Sequence, residues 1–392
     1  MGDRESWAVL VVGAGPAGLV LGNLLRAEGI DCLILERRSR AHVEHRARAG
    51  FLAANSVRIL ERNGLADGVN AGGQRHGTCS FRTDHGQFEL NYGALGRREM
   101  TTVYPQQDLV RDLIAEFLDR GGDIRFDAAV SEVGGVGTDR PWVAAGDRRW
   151  HGRFVAGCDG RHGVSRAAVP AGAARRYQRT YGVSWLALLA EAPPSMSTVT
   201  YAIHANGFAG HMARTPSVTR YYLQCPPGDD PDRWPERRIW DELGVRMHTQ
   251  RHGALKQGNV IERRIIDMRC DVIEPIQYGR LFLVGDAASL VSPAAAKGAN
   301  LAIMAADKLA RALATALRHG DEGPLSRYSA DCMPHIWRAQ EFSQWMIHLL
   351  CGGPANNDEE AAFQRAVQLA RLDSLRTSRR HQDYFAESYV GI

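Results

Sequence analysis

Seven cysteines in 392 residues are an odd number, and none stands in a CxxC pair. A disulfide framework or a zinc site is therefore not expected, whereas reduced, buried thiols in a cytoplasm are. No stretch reaches 18 uninterrupted apolar residues, so no membrane span is expected. The opening MGDRESWAVLVVGAG carries acidic residues ahead of a short apolar run that enters a glycine motif at once, which makes it a strand and not a signal peptide. An excess of one charge is also missing. The net charge is +4, and the arginines are scattered apart from ERRSR at 36–40 and RTSRRH at 376–381, which argues against a nucleic-acid partner. No internal repeat or low-complexity linker interrupts the chain.

What is there is ordinary for a globular protein, with 44% apolar and 23% charged residues in a length that suggests two or three domains at roughly 150 residues each. Residues 8–37, AVLVVGAGPAGLVLGNLLRAEGIDCLILER, read as strand, glycine turn, helix and strand. Leu21, Leu24 and Leu25 supply the helical stripe. Two further apolar runs, RFVAGCDG at 153–160 and RLFLVGDAA at 280–288, end in glycine and aspartate and read as strands of the same parallel sheet. From about 181 to 268 the segments alternate and carry aromatics, with turn signals at Asn206-Gly207 and Thr215–Ser217. They read as an inserted antiparallel sheet. From 298 onward the periodicity is helical.

Gly13, Gly15 and Gly18 stand in GxGxxG spacing in the first turn. The first permits the turn, the second lets a pyrophosphate approach the backbone, and the third lets helix and sheet pack. Glu36, at the end of the next strand, is spaced to accept from ribose hydroxyls. The motif alone does not choose between FAD and NAD. At the end of a later strand, Asp286 offers a carboxylate that can accept two hydroxyl hydrogens. Within the inserted sheet Gly210, Met212 and Arg214 share one face of a strand, and Arg220 and Tyr222 share one face of the next, so all five can line one pocket.

CDGRHGVSR at 158–166 and GRLFLVGDAASLVSPAAAKGAN at 279–300 resemble the two downstream signatures of the FAD-dependent aromatic hydroxylases. LERRSRAHVEHRARAG (35–50), VYPQQDLVRDL (103–113), RYYLQ (220–224) and EPIQYGRLFLVGDAA (274–288) narrow the resemblance to the 4-hydroxybenzoate 3-monooxygenase family over nearly the whole length. The resemblance implies an α/β fold, with a Rossmann-like FAD-binding domain over 1–180 that lends a part around 76–100 to the substrate domain. A substrate-binding β-sheet domain over 181–268 follows, then a strand and helix over 269–320 that complete the FAD site, then a helical region over 321–392.

For FAD the resemblance implies Glu36, Arg37, Arg48, Gln106, Asp159 and Asp286, together with the helix beginning near Lys297, whose first turn holds Gly298 and Asn300. That helix would aim its dipole at the reduced flavin. Arg214 and Tyr222 would take a substrate carboxylate and Tyr201 its phenol, near the backbone of Pro293. A proton relay would run from Tyr201 through Tyr389 to His76. His162 and Arg269 would hold NADPH or NADH, with Arg220 steering flavin movement beside them. Trp185 is retained. The implied chemistry is NAD(P)H-driven insertion of one oxygen atom of O2 into an aromatic ring through a flavin C4a-hydroperoxide, in a homodimer, with no metal.

The departures cluster in the pocket. The family usually has serine, leucine, threonine and valine where this chain has Met212, Gly210, Ala294 and Phe51, which implies space removed at 51 and 212 and opened at 210 and 294. Losing a hydroxyl that donates to a carboxylate costs roughly 1.5 to 3 kcal/mol if nothing replaces it. The expected substrate is therefore a 4-hydroxybenzoate with a further ring substituent, such as 3-amino-4-hydroxybenzoate hydroxylated at position 2. The alternative is plain 4-hydroxybenzoate, giving the 3,4-dihydroxy acid. A flavin halogenase is disfavoured because no WxWxIP segment occurs. A nicotinamide-dependent dehydrogenase would purify colourless, and a non-hydroxylating flavin-binding protein would show no substrate-stimulated NAD(P)H oxidation.

Overall fold

The computed structural model describes residues 6–46, 50–248, 253–352 and 357–391. Ser6–Val12 forms the expected first strand and is buried through its second half, as an apolar run in a sheet covered on both faces must be. It pairs in parallel with Cys32–Leu35 on one side and Arg148–Gly157 on the other. Arg148–Gly157 in turn pairs in parallel with Leu281–Leu283, and Cys32–Leu35 with Asp123–Arg125. Strands separated by more than a hundred residues thus meet in one sheet. The helices Pro16–Ala27 and Gln106–Asp119 lie against it and against each other, close enough that a Cβ on Gly22 would meet Ile34 of the sheet at 2.8 Å and the Phe117 ring at 3.0 Å.

The second sheet has eight strands, in the order Ser289–Leu290, Asn259–Glu274, Arg175–Glu191, Val218–Cys225, Gly207–Thr215, Val199–His204, Cys79–Thr83 and Gly86–Leu90. It is antiparallel except where Val199–His204 runs parallel to Cys79–Thr83. His204 pairs with Gly207, which has φ +103°, and Thr215 pairs with Val218, so both signalled turns close two-residue loops. The expected boundaries at 181 and 268 fall inside two long strands, Arg175–Glu191 and Asn259–Glu274, which carry the chain continuously from the nucleotide end to the second sheet.

A small sheet of Phe51–Leu52, Thr101–Val103 and Gln74–His76 joins the two. The helices Gly298–His319, Gly323–Cys351, Asp358–Thr377 and Arg379–Val390 follow. Phe342, Met346, Leu350, Phe385 and Tyr389 from this region are buried against Phe81, Trp185 and Tyr201 of the second sheet, closing its inner face. No described helix is long and apolar enough to cross a membrane.

Candidate functional site

The glycine turn separates what the fold needs from what a ligand needs. A Cβ on Gly13, whose φ is +106°, would lie 2.6 Å from the Cys158 carbonyl oxygen, and one on Gly18 would lie 2.0 Å from that of Gly13. Both are demanded by packing alone. A Cβ on Gly15 would meet nothing within 4 Å, so the middle glycine leaves open space at the N-terminus of Pro16–Ala27, where free N–H groups suit a pyrophosphate. Glu36 accepts from the backbone N–H of Ala14 at 2.8 Å and of Arg38 at 2.9 Å. Its carboxylate is thereby held over the turn with lone pairs left for a ribose. Arg37 is exposed beside it, and Arg48 lies outside the described residues.

Asp159 first closes its own loop. One oxygen accepts from the Ser165 N–H at 2.9 Å, and only glycine fits at 163, where a Cβ would overlap the carboxyl carbon at 1.9 Å. The second oxygen, Oδ1, is buried without a hydrogen-bond partner, an acceptor that fits a cofactor hydroxyl. Burial pushes the Asp159 pKa up, with the Ser165 hydrogen bonds opposing. Asp286 lies half-buried in the turn Gly285–Ala287, and a Cβ on Gly298 would come 3.9 Å from its carboxylate. Carboxylate and helix N-terminus therefore converge. The Asn300 side chain is spent elsewhere: it donates to the Phe51 and Ala296 carbonyls and accepts from the Ala53 N–H at 2.8 Å. Contact with a cofactor is left to its backbone N–H. The same bonds bring in the 51–53 segment and, through the Phe51–Val103 pairing, the helix that begins at half-buried Gln106. These features fit a dinucleotide with a polyhydroxylated chain.

On the second sheet, Tyr201, Gly210, Tyr222 and Ala187 stand in one cross-strand row, and Met212, Arg220, Leu189 and Glu262 in the next. Arg214 lies at a register shift, between Ala213, opposite Thr219, and Thr215, opposite Val218. A bulge of this kind re-aims a side chain, and strict alternation does not foresee it. Arg214 and Arg220 are both buried, 7% and 2% exposed, and half-buried Glu262 lies 3.9 Å from Arg220. Arg220 Nε and Nη2 make no hydrogen bond. Burial and then Arg220 lower the Arg214 pKa to about 10, against Tyr222 and Glu262. A buried cationic pair with unbonded donors on Arg220 is suited to an incoming carboxylate.

The space expected over Gly210 is taken. A Cβ there would meet Phe208 Cζ at 2.9 Å and Tyr222 Cδ2 at 3.2 Å, because the Phe208 ring lies against Trp185 at 4.6 Å and fills the gap. Trp185 also packs on Tyr222 at 5.2 Å and donates to Cys351 Sγ at 3.2 Å. Phe51 meets the Tyr389 ring edge-on at 5.5 Å. Ala294 is buried in the turn Pro293–Ala295, and its own N–H donates to Ser292 Oγ.

The Tyr201 and Tyr389 hydroxyls hydrogen-bond at 2.6 Å, and burial raises both phenol pKa values well above 10. The next expected step is different. No hydrogen bond joins Tyr389 to His76, and the buried His76 Nε2 has no partner. Tyr92 stands between them, its ring 5.0 Å from that of Tyr389 and its hydroxyl donating to the His76 carbonyl at 2.9 Å. Sequence reasoning missed Tyr92 and Glu262, which carry no motif, and took Lys297 only as the start of a helix. Lys297 is buried and donates to the Tyr389 and Gly391 carbonyls, and desolvation lowers its pKa to about 7.

His162 is exposed, and Arg269 is half-buried on Asn259–Glu274. Arg220 is not beside them. It pairs with Leu189, whereas Arg269 pairs with Thr180 of the same strand, a separation of roughly 30 Å in extended chain. Arg220 stands in the row of Met212 instead.

Comparison with known proteins agrees with this geometry. A family model described as FAD binding domain matches residues 6–343. The p-hydroxybenzoate hydroxylase of Acinetobacter baylyi is 34% identical over 392 residues, covering 98% of this chain and 95% of that protein. The aklavinone 12-hydroxylase of Streptomyces purpurascens is 24% identical, and the match spans 81% of this chain but 64% of that longer protein. Among solved structures, p-nitrophenol 4-monooxygenase from Pseudomonas putida superposes with a TM-score of 0.83 at 18% identity, covering 99% of both chains. A ternary complex of aklavinone-11 hydroxylase with FAD and aklavinone gives 0.73 at 20% identity, over 90% of this chain and 70% of that one.

Proposed function

This chain belongs to the p-hydroxybenzoate hydroxylase family of FAD-dependent aromatic hydroxylases, and from that membership we propose that its substrate is a 4-hydroxybenzoate bearing a further ring substituent, with 3-amino-4-hydroxybenzoate, hydroxylated at position 2, as the candidate. The observation that carries the reading is Met212 opposite Arg220 in the register, beside Arg214. A thioether that cannot donate stands where the family usually places a hydroxyl, while the cationic grip and the phenol contact remain.

Bound FAD supplies the redox chemistry, accepting hydride from NAD(P)H and activating O2. In this reading Gly15, Glu36, Asp159 and Asp286 hold the cofactor, and His162 and Arg269 hold the nicotinamide nucleotide. Arg214, with Tyr222, takes the substrate carboxylate bidentately. Tyr201, kept neutral by burial, takes the phenol proton of the substrate as its own passes to Tyr389 along the 2.6 Å hydrogen bond, and Tyr389 releases its own in turn towards solvent. Loss of the phenol proton raises electron density on the ring carbon that receives oxygen. Phe51, Trp185, Phe208 and Tyr389 wall the site and exclude water. Exposed Phe363 and Trp337 on the C-terminal helices support a homodimer contact there.

The named relative favours plain 4-hydroxybenzoate as the second reading. A panel of substituted benzoates, scored for hydroxylated product per NAD(P)H consumed, separates the two. Tight and fully coupled turnover of the unsubstituted acid alone would sink the substituted-ring proposal.

A further inference from the structure

On the helix Gly323–Cys351, Trp337, Glu341, Trp345 and His348 recur at intervals of four, four and three residues and so share one face. That face, the paired strands Arg175–Glu191 and Asn259–Glu274, and Arg371 of Asp358–Thr377 line a pocket of about 520 Å³. Tyr201, Arg214 and Tyr222 take no part in it. Its walls are aromatic. Tyr177 and Trp337 meet edge-on at 5.1 Å, the Arg179 guanidinium stands 5.5 Å from the Tyr181 ring, and Trp345 is stacked on Phe342 at 5.8 Å. Its charge is cationic. Arg179 is exposed and Arg371 half-buried, and neither forms an ion pair with a carboxylate among the described residues. Glu341, the acid of this helix face, accepts from the Tyr384 hydroxyl at 2.6 Å. Burial, then Arg371 and Arg179, lower the His348 pKa, which sets both guanidiniums near that ring and leaves it neutral at pH 7. Gln340, 6% exposed, spends its amide nitrogen on Ser289 Oγ and the Leu290 carbonyl, and its buried amide oxygen has no hydrogen-bond partner.

We propose that this pocket is a second small-molecule site, separate from the substrate site, for a planar aromatic carboxylate that carries a ring hydroxyl. The ring lies among Tyr177, Tyr181, Trp337 and Trp345, the carboxylate meets Arg179 and Arg371, and the hydroxyl donates to Gln340 Oε1. Aromatic walls alone would take any apolar group. Two guanidiniums without a carboxylate of their own select an anion, because charge-assisted bonds from a planar fork to an oxyanion are the strong kind. The buried amide oxygen selects a donor, since it is costly to leave unpaired. The volume lies within the roughly 300 to 1,000 Å³ of small-molecule sites and has room for one or two rings. The inference is independent of the readings for substrate and coenzyme.

The test is equilibrium dialysis of the FAD-loaded enzyme against 6-hydroxy-2-naphthoate, with 2-naphthol as the same ring and hydroxyl without the carboxylate. The variants are Arg179→Gln, Arg371→Gln, Trp337→Ala and, to disable the substrate site, Arg214→Gln. A class of sites that survives Arg214→Gln is expected, with its Kd raised about tenfold in Arg179→Gln and in Arg371→Gln and raised also in Trp337→Ala. Flavin content and the affinity for 4-hydroxybenzoate, read through flavin fluorescence, are expected to stay at wild-type values in Arg179→Gln and Arg371→Gln, so that a loss of naphthoate binding there is not misfolding. If no naphthoate binding survives Arg214→Gln, or if what survives is indifferent to both Arg179→Gln and Arg371→Gln, the proposal is overturned. Equal affinity for 2-naphthol overturns the carboxylate assignment and the proposal with it. Trp337 also belongs to the surface offered for the homodimer contact. Absence of naphthoate binding together with a sedimentation mass that halves in Trp337→Ala would give the groove to a second copy of the chain, and would overturn the proposal as well.

Discussion

Tyr201 and Tyr389 are 188 residues apart in sequence, yet their hydroxyl oxygens lie 2.6 Å apart in a buried pair. Both phenols are held neutral by burial, which suits the pair to the proposed relay, since a proton can pass without a charge being stored. In Tyr389→Phe the Tyr201 hydroxyl loses its partner, and proton transfer through the pair stops. The hydroxylation rate is expected to fall at least tenfold, with flavin content unchanged. Stopped-flow single turnovers measure this, and a wild-type rate would remove Tyr389 from the relay.

Met212 answers a substrate question that one substitution can probe. Met212→Ser restores a donor beside Arg214 and Arg220, worth roughly 1.5 kcal/mol or about tenfold in affinity for unsubstituted 4-hydroxybenzoate. Binding measured through flavin fluorescence checks it. Unaltered affinity across the benzoate panel would place Met212 away from the carboxylate.

Gly15 and Gly18 should fail in different ways. Gly18→Ala forces a Cβ to within 2.0 Å of the Gly13 carbonyl oxygen, whereas Gly15→Ala meets no protein atom within 4 Å. The first is expected to lower the melting temperature of apoprotein and holoprotein alike. The second leaves the apoprotein's melting temperature as it was and releases FAD, because the methyl group occupies the phosphate's space. Differential scanning calorimetry and the 450 nm flavin absorbance distinguish them.

Phe208 and Gly210 are a packed pair. Gly210→Leu drives a side chain into the Phe208 ring, costing roughly 1 to 3 kcal/mol by overpacking. Phe208→Ala, which alone leaves a cavity, should recover part of that loss when combined with Gly210→Leu. Urea unfolding of the two singles and the double gives the coupling, and strict additivity would show that the two do not share space.

His211 sets an acid limit on stability. It is 1% exposed, and its Nε2 accepts from the Ser195 N–H at 3.2 Å, which requires the neutral ring. Desolvation lowers its pKa from 6.5 to about 4. The unfolded chain therefore binds the proton first, and stability present above pH 6.5 is lost as pH falls towards 4, by roughly 3 kcal/mol. His211→Gln should flatten that part of the pH profile in urea unfolding, and an unchanged slope would assign the acid loss to other groups.

The parallel sheet and its cofactor turn were legible because they are local. GxGxxG, the apolar runs and the terminal carboxylates Glu36 and Asp286 each carry their meaning within a few residues, as do the turns at 206 and 216. The shared face of Met212, Arg220 and Tyr222 followed from period-two alternation. Arg214 shows where that reading stops: a bulge aims it, and a bulge is decided by the pairing of two strands. Tertiary packing also put Phe208 over Gly210, Tyr92 between Tyr389 and His76, and the Asn300 amide on the backbone of 51–53. By itself the sequence determined the fold class, the FAD turn and the residue types able to grip an acid. Which groups touch was left to the tertiary structure, because contacts between residues a hundred or more positions apart depend on shape and desolvation, and neither is written in any short stretch of chain.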